Sequence, residues 1–252
     1  MMVDCHVHLG ESEKSKRWFS FETFGHLMKR FKIDSAVVMP SISNITSVFS
    51  SNKFFLEELG KVKERDIFYP FLLIAPFSNQ VFNQIKSFSK LIFGLKLHPS
   101  IERVTASDKM LWGYYEFASE HRLPVLVHCG RDKISDISFV IEAAKNFPGL
   151  SFIAAHLGGN ASDLIEKAFS ELQKYSLENI YLDTSNGKSP WLVEEAVKVI
   201  GSERVLFGSD EPFADVRICK LCVELANLSG EAKENIFSKN ILRLLRRKSE
   251  TT

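Results

Sequence analysis

Seven histidines are spread over the 252 residues, and five of them stand where short apolar runs end. His6 and His8 lie two apart in Val3–His8, so on an extended strand both imidazoles project from one side. His98, His128 and His156 each close a run of β-branched and apolar residues, and Asp210 closes another just after Ser209. His26 and His121 fall instead in stretches of helical spacing. Neutral imidazoles with a carboxylate are the donor set of a borderline-soft divalent cation such as Zn²⁺, with one coordination place left open. Such an ion lowers the pKa of bound water to about 7 and polarises a carbonyl. One such histidine alone would read as a hydrogen-bonded core residue. Several at equivalent positions read as a metal centre.

The elements that must bring these residues together are visible as an alternation. Eight runs have strand character: Val3–His8, Ser35–Met39, Phe68–Ala75, Phe93–His98, Val125–His128, Phe152–His156, Ile180–Asp183 and Val205–Ser209. Between them, apolar residues recur at helical spacing in Phe21–Phe31, Phe54–Val62, Leu111–His121, Ile134–Phe147, Ala161–Tyr175, Trp191–Ile200 and Val216–Leu228. Ser107–Asp108 and Ser162–Asp163 are candidate helix caps, and Pro190 suits a first helical turn. Strand then helix, eight times, predicts a (β/α)8 TIM barrel over residues 1–252 as a single α/β domain, with Ala232–Arg247 as a C-terminal helix packed over it. A doubly wound open sheet would show fewer strands and a Gly-rich phosphate loop after the first, where this chain has histidines. Catalytic groups of such barrels project from the C-terminal strand ends, the positions His6, His8, His98, His128, His156 and Asp210 occupy. The longest insertions, Gly10–Ser20 and Ser41–Lys53, are expected to act as lids that select the substrate.

Composition narrows the function. Hydrophobic residues make up 45% of the chain, enough for a large core. Lys+Arg 32 against Asp+Glu 31 gives a net charge of +1, which offers no electrostatic footprint for nucleic acid. No apolar run is long enough to span a membrane and the N-terminus lacks a signal-peptide pattern, so a cytoplasmic protein is expected. Cys5, Cys129, Cys219 and Cys222 are too few for a disulfide scaffold. The Cys219–Cys222 pair falls in an amphipathic helix without a second pair, which favours buried thiols over a zinc ribbon.

Five segments also resemble a known family. Asp4-Cys5-His6-Val7-His8, Gly94-Leu95-Lys96-Leu97-His98-Pro99, Val127-His128-Cys129-Gly130, Ala155-His156-Leu157-Gly158-Gly159 and Phe207-Gly208-Ser209-Asp210-Glu211-Pro212-Phe213 are similar, in this order, to the strand ends of the amidohydrolase superfamily. The resemblance is to its amidohydrolase 2 branch, which includes lactonases and nonoxidative decarboxylases. It implies that His6, His8, His128 and Asp210 are metal ligands, that Asp210 also accepts a proton from the activated water, and that His156 is a base or electrophile beside the open place. One Zn²⁺ is implied. Two ions, or another divalent metal, are the alternative, with Lys96 and His156 as further ligands and Lys96 carboxylated.

Lys96 shares a strand face with His98, and unmodified it would bind an anionic substrate or pair with a buried carboxylate. Arg131 could grip a substrate carboxylate through two parallel hydrogen bonds, or pair on the surface with Asp132 or Asp136. Trp18 could close over a ring or simply pack, and Asn186 and Glu211, just beyond strand ends, are expected at the mouth without identifying a reaction. The expected function is therefore a metal-dependent hydrolase acting on a C–O or C–N bond of a small, carboxylated substrate such as a lactone. A nonoxidative decarboxylase of a small carboxylated ring is the alternative. A TatD-like nuclease would carry Gly-Glu-Ile-Gly where this chain reads Gly94-Leu95-Lys96-Leu97. A non-catalytic metal-binding protein would have no need of a proton shuttle at Asp210. The partner expected is a small molecule, not nucleic acid or membrane, with a homodimer left open.

Overall fold

A computed structural model describes residues 1–12, 17–41, 47–187 and 189–246. Nine strands form one sheet: β1 (Val3–Ser12), β2 (Arg17–Phe19), β3 (Ser35–Pro40), β4 (Phe68–Leu73), β5 (Gly94–Leu97), β6 (Val125–Val127), β7 (Phe152–Ala154), β8 (Ile180–Asp183) and β9 (Val205–Leu206). Their order is β2-β1-β3-β4-β5-β6-β7-β8-β9, and all pairs except β1–β2 are parallel. The sheet curls until the chain after β9 meets β1. The amide of Cys5 donates to Phe207 O at 2.9 Å, that of Asp210 to His6 O at 2.8 Å and that of His8 to Glu211 O at 2.8 Å. These bonds leave no edge in the parallel sheet, as a (β/α)8 TIM barrel requires.

The strand runs expected from sequence all lie on barrel strands, and the open-sheet alternative falls. The helices between them are α1 (Phe21–Phe31), α2 (Val48–Lys61), α3 (Asn79–Ser87), α4 (Pro99–Glu102), α5 (Trp112–Glu120), α6 (Ile137–Asn146), α7 (Ser162–Gln173), α8 (Pro190–Ile200) and α9 (Val216–Leu225). Among the described residues no helix is long and apolar enough to cross a membrane. Four local expectations are corrected. The helix expected from Phe54 begins at Val48, because the Ser47 hydroxyl accepts from Ser50 N and caps it earlier. Helix α3, whose polar first turn hides its periodicity, was not anticipated. Its cap is Ser78, whose side chain accepts from Val81 N. Ser162 and Asp163 are the first helical residues of α7, not its cap, which is Ala161 with no side-chain bond. The segment after the first strand is a hairpin, with Gly10 opposite Phe19 and Ser12 opposite Arg17.

Two apolar layers hold the barrel. The outer one joins strand residues such as Val7, Val38, Leu95 and Val127 to the helices. The inner one contains Val3, Cys5, Met39, Phe71, Leu126, Ile153 and Tyr181, and its end is closed by Ile241, Leu244 and Leu245 of the C-terminal segment. That segment runs from α10 (Gly230–Glu234) through a π turn, Asn235–Lys239, into α11 (Asn240–Arg246), in agreement with the terminal helix expected over the barrel. Buried Asn240 ties it down by donating to Ser202 O at 2.7 Å and Val205 O at 2.8 Å.

Along β1 the strand period breaks. Val3 and Cys5 face the inner layer, whereas Val7 and Leu9 face the outer one, and the register with β3 shifts between Asp4 and Val7. The bulge turns two successive residues inward, so that His6 and His8 point into the barrel above Val3 and Cys5. Asp4 Oδ1 accepts from the His6 amide at 3.1 Å across this kink and from the Ser209 amide at 2.9 Å across the seam.

Interior space is tight at Gly94, where an added Cβ would lie 2.3 Å from the Phe71 ring. Gly94→Ala is expected to lower the unfolding free energy by about 1–3 kcal/mol, and Phe71→Leu in the same chain to restore part of it. Denaturant unfolding of the three variants checks this. A neutral Gly94→Ala would show that the layer has slack at that point.

Candidate metal centre

The inward-facing histidines gather at the C-terminal end of the barrel. His6 Nε2 lies 3.1 Å from His8 Nε2, and both lie 3.4 Å from Asp210 Oδ1. Lys96, from β5, places Nζ 3.1 Å from the same His6 Nε2. His128 and His156 follow β6 and β7, with His156 Nε2 3.1 Å from His128 Nδ1 and the His156 ring stacked 5.4 Å from that of His6. His98 stacks on His128 at 3.9 Å, and Phe213 meets His8 edge-on at 5.4 Å.

The ring protons of this cluster are fixed by their acceptors. A carbonyl only accepts, so the 3.2 Å bond between His8 Nδ1 and Pro40 O puts the ring proton on Nδ1. The same holds for His6, whose Nδ1 lies 2.9 Å from Asp183 Oδ2. Each neutral ring then carries a lone pair on Nε2, and these two lone pairs converge with Asp210 Oδ1. Burial makes the neutral form mandatory, holding His6, His8 and His128 well below the ordinary imidazole range and His156 down to about 3. Three acceptors face one point, an arrangement that suits a cation, and Lys96 Nζ stands beside it at 3.1 Å from His6 Nε2. The observed residues therefore fit a divalent ion with imidazole and carboxylate donors.

Among the described residues two sets bring three ligand atoms within 4.8 Å of one another: His6, His8 and Asp210, and His6, His156 and Asp183. The second set is already filled, since the Ser185 hydroxyl sits 2.8 Å from His156 Nδ1 and 3.2 Å from His6 Nδ1. In the first set the ligand atoms are the Nε2 atoms of His6 and His8 and an Asp210 carboxylate oxygen, with Lys96 Nζ beside them, 3.1 Å from His6 Nε2. His128 belongs to neither set and meets the cluster through His156. Gly130 lets it sit there, because a Cβ at that position would be 2.7 Å from His128 Nε2.

Backbone conformation also marks the site. His156, Leu157, Asn186 and Asp210 have φ of 59°, 56°, 56° and 66°, in the left-handed region that non-glycine residues rarely adopt. All four follow the ends of β7, β8 or β9, where the left-handed turn carries the chain away from the barrel. Burial lowers the pKa of Lys96 to about 8, against the opposing pull of Asp210 and Asp183.

Sequence reasoning brings His6, His8, His128, Asp210, His156, Lys96 and His98 to one rim; in the structure His6, His8, Lys96 and Asp210 meet directly, His156 stacks on His6, His128 joins through His156, and His98 stacks on His128. It did not select Asp183 or Ser185. Asp183 was visible as the last residue of a strand, a signal equal to that of Asp210. Arg131 lies exposed on the loop after β6, and Asp136, one of the partners considered for it, pairs with Lys167 at 2.6 Å. Glu211 turns its carboxylate to the Val216 amide at 3.0 Å and caps the turn into α9. The Trp18 side chain and parts of both expected lids lie outside the described residues. A cleft of about 1370 Å³ lies between α1 and α2, and its lining includes Phe21, His26 and Phe54 but none of the clustered histidines. All four cysteines are buried and free, as expected.

Against this geometry, the family described as Amidohydrolase matches residues 3–247. No curated protein sequence matches. Many solved structures share the fold. One is a dihydroxybenzoic acid decarboxylase from Polaromonas sp. JS666 with bound manganese and the inhibitor 2-nitroresorcinol, 14% identical, covering 97% of this chain and 96% of its own, with a TM-score of 0.77. A second, from Pseudomonas putida, is assigned as a 2-pyrone-4,6-dicarboxylic acid hydrolase, 14% identical, with 97% of each chain covered and a TM-score of 0.76. A third is an amidohydrolase from Burkholderia multivorans with bound zinc, 13% identical, covering 97% of this chain and 99% of its own, with a TM-score of 0.76.

Acid should weaken the metal-free fold. Below about pH 6.5 the unfolded chain takes up protons on His6, His8, His128 and His156 that the folded protein refuses, so their contribution to stability is lost as the pH falls. Asp4 and Glu102, each held up at about 7 by burial, act in the opposite sense, as does Glu211, which burial also raises. The four histidines outnumber these. Unfolding free energy measured in a chelator is expected to fall between pH 6.5 and 5, by about 1.4 kcal/mol per pH unit for each net proton. A rise on acidification would contradict neutral, buried rings.

Proposed function

Because this chain belongs to the amidohydrolase family, we propose that it is a divalent-metal-dependent hydrolase acting on a C–O or C–N bond of a small carboxylated substrate such as a lactone. The observation that carries this reading is the convergence of the His6 and His8 lone pairs with Asp210 Oδ1. His6, His8 and Asp210 are the proposed ligands, with His128 as a fourth from the far side of the mouth. Zinc is the metal proposed, with manganese the other candidate. When bound, the ion polarises the substrate carbonyl and lowers the pKa of water to about 7.

The chain's own residues do the remaining work. Asp210, on a left-handed turn held by its amide bond to His6 O, accepts a proton from the attacking water and returns it to the departing oxygen or nitrogen. His156 is neutral, and its Nε2 is committed to His128, so it steers that ring and takes a proton only when the bond opens. Lys96 supplies an ammonium for the substrate carboxylate beside His6, and His98 backs His128 as a stacked wall. Arg131, exposed at the rim, is positioned to meet an incoming carboxylate. Carboxylation of Lys96, with a second ion, is the alternative state of the site.

A decarboxylase is the second reading. It is favoured by the flat faces around the mouth, where Phe213 abuts His8 and His98 stacks on His128, and by the decarboxylase that shares the fold. There protonated Asp210 would deliver H⁺ to the ring carbon. The proposal includes a cytosolic location, which four free thiols suit. It also includes one functional unit over residues 1–252 and a homodimer, for which α9 offers exposed Ile218, Leu221 and Leu225.

Asp210→Asn should lower turnover about 10²–10⁴-fold while retaining much of the metal. Turnover of the metal-loaded enzyme on lactones and carboxylated phenols, with metal content measured alongside, tests both readings. Ring opening without CO₂ supports the hydrolase. CO₂ without ring opening replaces it by the decarboxylase, and complete metal loss in the variant would assign Asp210 a purely ligating role.

A further inference from the structure

Asp183 is fully buried at the end of β8, below the histidines. Its Oδ1 accepts from the His156 amide at 2.9 Å, from the Ser185 amide at 3.0 Å and from the Ser185 hydroxyl in a short contact. Its Oδ2 faces His6 Nδ1 at 2.9 Å. A carboxylate has no proton to give, so each of these partners must donate. Once the Ser185 proton is spent on Asp183, the Ser185 oxygen can only accept, and the group 2.8 Å away is His156 Nδ1. His156 therefore carries its proton on Nδ1 and a lone pair on Nε2. That lone pair faces His128 Nδ1 at 3.1 Å, which must in turn be protonated. The chain of donors runs one way, from His128 through His156 and Ser185 to Asp183, with His6 joining from the other side.

We propose that Asp183, acting through Ser185, is the positioning residue that sets the tautomers of His6, His156 and His128 and so leaves the Nε2 atoms of His6 and His128 as lone-pair donors for a cation. The inference rests on the metal-dependent reading above and deepens it. A buried carboxylate that orients an imidazole and raises its basicity is the general way in which proteins prepare a histidine ligand. Here one carboxylate serves a ring on β1 and rings just after β6 and β7, because strand β1 and the segments that follow β6 and β7 meet over the end of β8. His8 stands outside the relay, since Pro40 O sets its tautomer independently.

The arrangement makes Asp183→Asn an informative change. An asparagine can keep an oxygen toward the two amides and the Ser185 hydroxyl, which leaves its NH₂ facing His6 Nδ1. That group donates, so the His6 proton must move to Nε2 and block the position where the cation would bind. Ser185→Ala breaks only the other arm. It removes the acceptor for His156 Nδ1 and leaves the bond between His6 and Asp183 in place.

The test is a long-range ¹H–¹⁵N spectrum of the full-length, metal-free protein with labelled histidine rings, assigned by single His→Gln variants. In the unaltered protein His6, His128 and His156 are expected with the proton on Nδ1. Asp183→Asn should move that of His6 to Nε2, and Ser185→Ala should release His156 and His128 into a tautomer mixture while His6 is unchanged. Zinc affinity by chelator competition should fall about 10–100-fold in Asp183→Asn. Should Asp183→Asn fail to fold, the unaltered protein and Ser185→Ala still decide. An Nε2 proton on His6 in the unaltered protein, or a His156 signal unmoved by Ser185→Ala, overturns the relay. Tautomers as expected without any zinc or manganese binding would overturn the proposed function and leave the relay standing.

Discussion

Burying several imidazoles in one dry pocket imposes a strict balance: none can carry a charge, so each has one N–H that needs an acceptor and one lone pair that needs a donor. The end of this barrel satisfies the first requirement from below and turns the lone pairs upward, where Lys96 Nζ meets that of His6 at 3.1 Å. Pro40 O and Asp183 take the Nδ1 protons of His8 and His6, and Ser185 takes that of His156. The lone pairs of His6 and His8 point outward beside Asp210. The arrangement has a direction, from a proton-accepting floor to a cation-seeking mouth.

The barrel makes that balance attainable. Parallel strands end together, so residues separated by as many as 205 positions, such as Asp4 and Ser209, meet at the closing seam. The bulge in β1 is the local device on which the centre depends. Without it His6 and His8 would share a face with Asp4, opposite Cys5, and could not stand inside above Val3 and Cys5. Asp4 stabilises the kink with one oxygen while clasping the end of β9, which couples the shape of the first strand to closure. Burial of this carboxyl raises its pKa to about 7, so the clasp is purchased with a strained electrostatic environment.

The inner apolar layer and the polar mouth divide the barrel along its axis. Below, Phe71, Tyr181 and the residues of α11 pack the interior with apolar side chains. Above, turns in left-handed conformations at His156, Asn186 and Asp210 lead the chain out of the barrel. Their strain is carried by the hydrogen bonds that the same residues make to neighbouring strands, including that from the Asp210 amide to His6 O. Rigidity at the floor and strained turns at the rim are two results of one topology.

Much of this was legible in the chain itself. Period and composition located the barrel strands, because a strand buried on both sides reads as a short apolar run, and the residue that ends the run stands at the rim. His6, His8, His128, His156 and Asp210 could be picked out for that reason. What period cannot register is a bulge, since one extra residue leaves the local pattern of residue types unchanged. Helix α3 escaped because its polar first turn masks its buried Val81 and Ile85. The choice among equivalent strand ends also lay beyond the sequence. Asp183 and Asp210 look alike as letters, yet one faces ring N–H groups from beneath and the other faces lone pairs from above. Residue type and spacing determined that a carboxylate would stand at each position; only the three-dimensional packing of the loops decided which atoms it would meet, because hydrogen-bond roles belong to pairs of groups brought together from distant parts of the chain.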